Sequence, residues 1–434
     1  MSLPDLIEIV PLEKPVQAEI TVPGSKSITN RALILAALAD SETILRGALW
    51  SEDTQIMADA LRTLGFELKI DPDPHEVCNR TITLKGLGGK VPRAGTEQNP
   101  LNLHVGNAGT AARFLAALVC LGEGVFRLEG VPRMHERPQA ALNQALRELG
   151  YRIVSPNDKL PAIIYGAGPR RADCRVSIEE SSQFASALIL CSRKGDWRIS
   201  VTGENAAEAP YVNLTEQLLA TFPQHGGFFQ IEPDASSGSY FWGAHWLVSA
   251  FQQQSASFVR ITHWPVSNLQ VDQRFPEMLP SPPSLNFPKA ISRERTLGDS
   301  IMTAIVLAPF SSESVEFTDL HRLRVQECER VQALQTELTR CGARVIEEGD
   351  SLTVFPSKLH GAEIETYNDH RMAMCFAILG LKVPGIRLKN PSCVKKTFPN
   401  FFQKLAGQPP HGLGITILDA KTGRRVAIEQ LFAE

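Results

Sequence analysis

ALNQALRELGYRIV, residues 141–154, is an amphipathic helix stopped by Gly150 and followed at once by a short alternating strand. Leu142, Ala145, Leu146 and Leu149 recur at helical spacing, and a glycine just past them supplies the left-handed turn that ends a helix. The phrase returns three times. Residues 53–70 carry a helix, Gly65 and FELKI; residues 214–231 carry LTEQLLATFPQHGG and FFQI; residues 331–346 carry VQALQTELTRCG and ARVI. The copies are widely and unevenly spaced, which argues against a solenoid. They predict an α/β chain of several similar units on both sides of the midpoint, and so two domains of similar construction. The DASSG break at 234–238, after the third copy, predicts a crossover between the domains.

The chain has 434 residues, enough for roughly two or three domains. Apolar residues make up 43%, so large cores can be buried, while a net charge of -3 argues against a nucleic-acid partner held by gross positive charge. The eight cysteines form no CxxC pair, which predicts free thiols in a reducing compartment and no zinc constellation. The first residues, MSLPDLIEIVPLEK, lack the basic and apolar regions of a signal peptide, and no apolar run approaches ~18 residues. The expectation is a soluble cytoplasmic protein without a membrane or nucleic-acid partner.

Charged residues gather where strands meet helices. Residues 8–21 read as a strand that ends at Val22-Pro23-Gly24. Ser27 is the expected N-cap of the next helix, and Lys26, Ser27 and Arg31 share one side of its start. In LHVGNAGTAARFL (103–115) a strand enters a glycine turn with Asn107 and Gly109. Thr110 is the expected N-cap, and Arg113 lies one turn on; free N–H groups there favour an anion. Arg137 precedes a proline in EGVPRMHERP, and Ser181-Ser182-Gln183 opens the helical FASALIL. Asp299, before IMTAIVLA, reads as an N-cap. LRVQECER (323–330), read as a helix, places Glu327 three residues from both Arg324 and Arg330. In YNDHR (367–371) Asp369 caps, leaving His370 and Arg371 to face a ligand, and Lys396 precedes TFP. Each alone is an ordinary cap or solvated face. Together Lys26, Arg31, Arg113, Arg137, Arg330, Arg371 and Lys396 predict a cationic pocket for small, multiply charged anions, with Asp299, Glu327 and His370 as acid–base groups. No P-loop, dinucleotide fingerprint, metal-ligand spacing or nucleophile elbow accompanies them.

PGSKSITNRALILAALA, VGNAGTAARFLAAL, EGVPRMHERP, SSQFASALIL, PDASSGSYF, LRVQECER, TYNDHRMAMCFA and CVKKTFPNFF, in order from residue 23 to 402, resemble the 5-enolpyruvylshikimate-3-phosphate synthase family. The resemblance implies two similar domains, each an inverse α/β barrel of three βαβαββ units, with the active site in the inter-domain cleft. It places 23–234 in the first domain and 1–22 with 235–434 in the second. It implies transfer of the enolpyruvyl group of phosphoenolpyruvate to the 5-hydroxyl of shikimate 3-phosphate by a monomer, with no metal or redox cofactor. Asp299, Glu327, Lys26 and His370 would carry the chemistry. Lys26, Asn107, Gly109, Arg137, Gln183, Arg330, Arg371 and Lys396 would hold phosphoenolpyruvate. Lys26, Ser27, Arg31, Ser181, Ser182, Gln183, Tyr211, Asp299, Arg322 and Gln326 would hold shikimate 3-phosphate. Three positions depart from the family pattern: Gln326 stands for a lysine, Arg322 for an asparagine, and Glu208-Ala209 for a serine that helps hold the 3-phosphate. The expectation is that Arg322 restores the lost charge. The rivals are a less phosphorylated acceptor and a relative that binds without turnover. The related peptidoglycan enzyme is disfavoured, because GVPRMHERP lacks its loop cysteine.

Overall fold

A computed structural model describes residues 3–204, 208–251, 257–281 and 284–434. The chain divides into two compact units, 1–23 with 233–434, and 24–232. Each is built in the same way.

In unit 24–232, strand Leu101–His104 pairs in parallel with Glu123–Glu129. The latter pairs antiparallel with Ala162–Ala167, which takes Arg152–Val154 as its edge partner. Helix Gly109–Cys120 makes the parallel crossover, and Ala140–Glu148 leads to the edge hairpin. A second sheet repeats this pattern with Gly227–Gln230, Glu42–Leu49, Asn79–Lys85 and Leu68–Pro72. Among the described residues the third sheet shows only a parallel pair, Ala172–Ser177 with Trp197–Thr202. Unit 1–23 with 233–434 has two four-stranded sheets of the same pattern and the parallel pair Phe258–Ile261 with Gln17–Ile20. One of its sheets is completed by the N-terminal strand Leu6–Ile9, which lies between Ile386–Lys389 and Ile417–Asp419. The stretch 8–21 is therefore two strands that belong to different sheets.

Within each unit three helices lie at the centre with the sheets around them, the inverse order of an ordinary barrel. Helices Lys26–Leu38, Gly109–Cys120 and Ser182–Gly195 pack pairwise in one unit. Ala235–Phe251, Ile301–Leu307 and His370–Gly380 do so in the other. Every residue of Gly109–Cys120 and of Ile301–Leu307 is buried, which explains their all-round apolar, alanine-rich sequences. No helix among the described residues is long and apolar enough to cross a membrane.

The repeated helix–glycine–strand phrase has a shared closure in three of its four copies. Phe66, Tyr151 and Ala343 each donate a backbone N–H to the carbonyl five residues back, at Leu61, Leu146 and Leu338, while Gly65, Gly150 and Gly342 take φ near +90°. The third copy differs. Phe222 ends helix Ala209–Thr221 in extended backbone, and the glycines come only after Pro223. The chain passes from one unit to the other at residues 232–233, and the DASSG stretch that follows opens a helix: it begins at Ala235, and Asp234 accepts from the Ser237 N–H (2.7 Å) and the Ser236 hydroxyl (2.8 Å).

Candidate active site

The charged residues lie at the N-termini of the buried helices, so each unit presents its own cluster. In unit 24–232, helix Lys26–Leu38 begins after Ser25, not Ser27, and places Lys26 Nζ 3.1 Å from the buried Asp53 carboxylate. Asp53 escaped the sequence reading; its place in the first turn of helix Glu52–Thr63 was the available signal. The Arg31 guanidinium is buried, donating to Thr215 Oγ1 (2.8 Å), Ser186 Oγ (3.1 Å) and the carbonyls of Ser27 (3.0 Å) and Tyr211 (3.4 Å). Burial lowers its pKa to about 10, against the attraction of Tyr211 and Glu208, so it stays charged at neutral pH.

The glycine turn is capped by Ala108 rather than Thr110, which lies inside the helix and accepts from Gln183 Nε2 (3.3 Å). Arg113 is held by the protein's own backbone. Its guanidinium is buried and tied to the carbonyls of Gly109 (3.1 Å) and Pro138 (2.6 Å), which staples the loop that carries Arg137. Arg137 donates to the Asn107 carbonyl (3.2 Å), and Asn107 Oδ1 is buried with no hydrogen-bond partner among the described residues. A β-carbon on Gly109 would lie 2.7 Å from both the Arg113 and the Arg137 guanidinium. Ser181 caps helix Ser182–Gly195, accepting from the Gln183 N–H at 3.3 Å, and the Ser182 N–H donates to Glu208 Oε2 at 2.5 Å.

In the other unit, residues 323–330 are not one helix. A tight turn, His321–Val325, carries the largely buried Arg322, and the helix starts only at Arg330. Arg324 therefore misses Glu327 and pairs with Glu329, Glu347 and Asp350. Glu327 lies between Arg330 (2.9 Å) and Lys396 (3.0 Å). Asp299 is not an N-cap: helix Ile301–Leu307 starts after Ser300, and the buried Asp272 accepts from the N–H groups of Gly298 (2.9 Å) and Ser300 (3.0 Å). With its capping task taken, the Asp299 carboxylate meets Arg293 (3.0 Å), Arg371 (3.2 Å) and Arg330 (3.7 Å). Burial would raise its pKa, yet the three guanidinia hold it well below the usual carboxylate range.

Arg330 is fully buried and bonded to Asp369 (2.7 Å), Glu327 and the Gln326 amide oxygen, while Gln326 Nε2 reaches Asp299 at 3.5 Å. Asp369 caps helix His370–Gly380 as read from the sequence. His370 is buried, its Nδ1 3.8 Å from Asp369, and Arg371 also donates to Ser236 (3.0 Å) and Tyr240 (3.4 Å). The structure thus brings Asp299, Gln326, Glu327, Arg330, Arg371 and Lys396 into one network. Arg293, Asp272 and Asp369 are its supports; Asp272 was hidden by its distance in sequence, and Arg293, six residues before Asp299, by the absence of any motif around it.

This arrangement suits an anion with two charged ends. Fixed cations already partnered by carboxylates exchange those partners for a ligand's phosphate and carboxylate, which leaves acid–base groups beside it.

The family described as EPSP synthase (3-phosphoshikimate 1-carboxyvinyltransferase) matches at residues 10–225 and 287–405. Among curated relatives, the 3-phosphoshikimate 1-carboxyvinyltransferase of Trichormus variabilis is 35% identical over 443 residues, spanning 93% of this chain and all of that one. The enzyme of the same name from Pseudomonas syringae pv. tomato is 35% identical over 438 residues, spanning 95% and 98%. Among solved structures, EPSP synthase from Acinetobacter baumannii matches with a TM-score of 0.67 at 20% identity, over 95% of this chain and 99% of that one. The enolpyruvyl transferase NikO from Streptomyces tendae matches with a TM-score of 0.66 at 16% identity, over 98% and 99%.

Proposed function

We propose, from the premise that the chain belongs to the EPSP synthase (3-phosphoshikimate 1-carboxyvinyltransferase) family, a division of labour among its clustered charges. The enzyme transfers the enolpyruvyl group of phosphoenolpyruvate to the 5-hydroxyl of shikimate 3-phosphate and releases phosphate, a step toward the aromatic amino acids. Asn107, Gly109, Arg137, Gln183, Arg330, Arg371 and Lys396 hold phosphoenolpyruvate. Ser27, Arg31, Ser181, Ser182 and Tyr211, with Arg322 and Gln326, hold the acceptor. Lys26 serves both substrates, with His370 in support.

The chemistry is an addition followed by an elimination. The acceptor oxygen bonds to carbon 2 of phosphoenolpyruvate, its proton leaves to a base, and carbon 3 gains a proton from an acid. The tetrahedral adduct then loses phosphate from carbon 2 and a proton from carbon 3, which restores the double bond. Asp299 is the base for the hydroxyl proton and Glu327 the acid toward carbon 3. In the ligand-free protein both are counter-ions of Arg330, and Asp299 is too strongly held to be an effective base. When the phosphate and carboxylate of phosphoenolpyruvate draw Arg330, Arg371 and Lys396 to themselves, Asp299 loses that stabilisation and its basicity rises. Binding the first substrate thereby prepares the base for the second.

The observation that carries this reading is the sharing of Arg330 by Asp299 and Glu327, with Lys396 on the far side of Glu327. The test is phosphate release with saturating phosphoenolpyruvate and shikimate 3-phosphate. Asp299→Asn and Glu327→Gln should each lower kcat by about 10²–10⁴-fold, the usual worth of a positioned acid or base. Wild-type rates in either variant would remove that group from the mechanism.

A further inference from the structure

One buried carboxylate has no task in that mechanism. Glu208 is 3% exposed and lies just before helix Ala209–Thr221. Its Oε2 accepts the first N–H of the 14-residue helix Ser182–Gly195. The surroundings are those of an anion site. The helix start brings positive potential, Arg31 is buried and charged, and the hydroxyls of Ser186 and Thr215 bond its guanidinium. The attraction of Glu208 also helps keep Arg31 protonated against the effect of burial. The anion that fills this site in the ligand-free protein is the chain's own side chain.

We propose that Glu208 is a specificity-determining residue, an internal anion that competes with the acceptor's phosphate for the start of helix Ser182–Gly195. The inference rests on the assignment of Arg31, Ser181 and Ser182 to the acceptor. A phosphate monoester and the Glu208 carboxylate cannot both accept from the Ser182 N–H. Two like charges within one hydrogen-bond shell repel strongly in a site this dry. Docking of a phosphorylated acceptor therefore requires the carboxylate to swing out, whereas an acceptor bearing a neutral hydroxyl there leaves it in place. Glu208 narrows the preference for the phosphorylated acceptor over the unphosphorylated one.

The test compares full-length wild type with Glu208→Gln, which keeps the shape and removes the charge, and Glu208→Ser, which also opens space. Calorimetry gives Kd for shikimate 3-phosphate and for shikimate, and phosphoenolpyruvate binding reports that the fold is intact. Removing the charge should tighten shikimate 3-phosphate by about tenfold or more while shikimate shifts by about twofold at most. The KM for shikimate 3-phosphate should fall in parallel. The ligand-free melting temperature should drop, because the helix start loses its charged acceptor, and shikimate 3-phosphate should raise it by more than in wild type. Both variants binding shikimate 3-phosphate no more tightly than wild type, with phosphoenolpyruvate binding intact, would overturn the proposal. Wild-type turnover tests the underlying assignment separately. If wild type makes no product from shikimate 3-phosphate at any concentration and Glu208→Ser does, shikimate 3-phosphate fails as the wild-type acceptor and the role of Glu208 stands.

Discussion

At Gly109 a side chain would strike protein before it struck substrate. Its β-carbon would lie 2.7 Å from the guanidinia of Arg113 and Arg137. Arg113 is pinned by two backbone carbonyls, so Arg137 is the group that gives way. Gly109→Ala should raise the KM for phosphoenolpyruvate several-fold through a displaced cation and leave the melting temperature nearly unchanged; an unaltered KM in steady-state assays would contradict this. The sequence marks the glycine as a place of close approach, but one of the two groups that approach it, Arg137, comes from a segment 28 residues downstream and is invisible in GNAGTA itself. Asp369 follows the same logic. The motif NDHR marks it as a cap, which it is, yet it is also the carboxylate that neutralises the buried Arg330. Asp369→Ala should cost about 3–5 kcal/mol in chemical denaturation, the penalty for stranding a buried charge. It should also weaken phosphoenolpyruvate binding.

Among the elements, the helices that the sequence announces most clearly are those closed by local chemistry. Gly65, Gly150 and Gly342 end theirs with the same five-residue backbone bond at positive φ. Gly150→Ala should destabilise by about 1 kcal/mol, the strain of a β-carbon in left-handed backbone, without changing either substrate's KM. A substrate effect would mean that this turn does more than close a helix. The helix starts were less legible, because their partners come from elsewhere in the chain. Asp299 looks like a cap next to an apolar helix, but Asp272 takes that task from 27 residues upstream, and Asp299 is left to the arginines. Residues 323–330 have helical charge spacing, and Glu327 does pair with Arg330, yet the segment is not one helix: Arg324 turns to Glu329, Glu347 and Asp350, while Lys396, Asp369 and Asp299 complete the network. Local spacing lost to buried long-range pairing.

For the molecule as a whole, repetition of one phrase on both sides of the midpoint was enough to predict two similar α/β units. It was not enough to predict which strands pair. The partnership of Leu6–Ile9 with Ile386–Lys389 spans nearly the full chain and depends on registers that a single sequence does not display. Concentrating ionised carboxylates among arginines also sets the acid response. The folded-state pKa of Asp299 is depressed, so its stabilisation is complete above the ordinary carboxylate value of about 4 and is lost as pH falls toward the lower folded-state value. Asp299→Asn should therefore flatten the fall in stability between about pH 5 and pH 3, as read by denaturant melts. An equally steep fall would place the acid sensitivity in other groups. The most direct test of the central claim is phosphate release with phosphoenolpyruvate and either shikimate 3-phosphate or shikimate as acceptor. The account predicts turnover with shikimate 3-phosphate, one phosphate released for each enolpyruvyl group transferred. Turnover with unphosphorylated shikimate alone, or phosphoenolpyruvate binding without phosphate release from either, would contradict it.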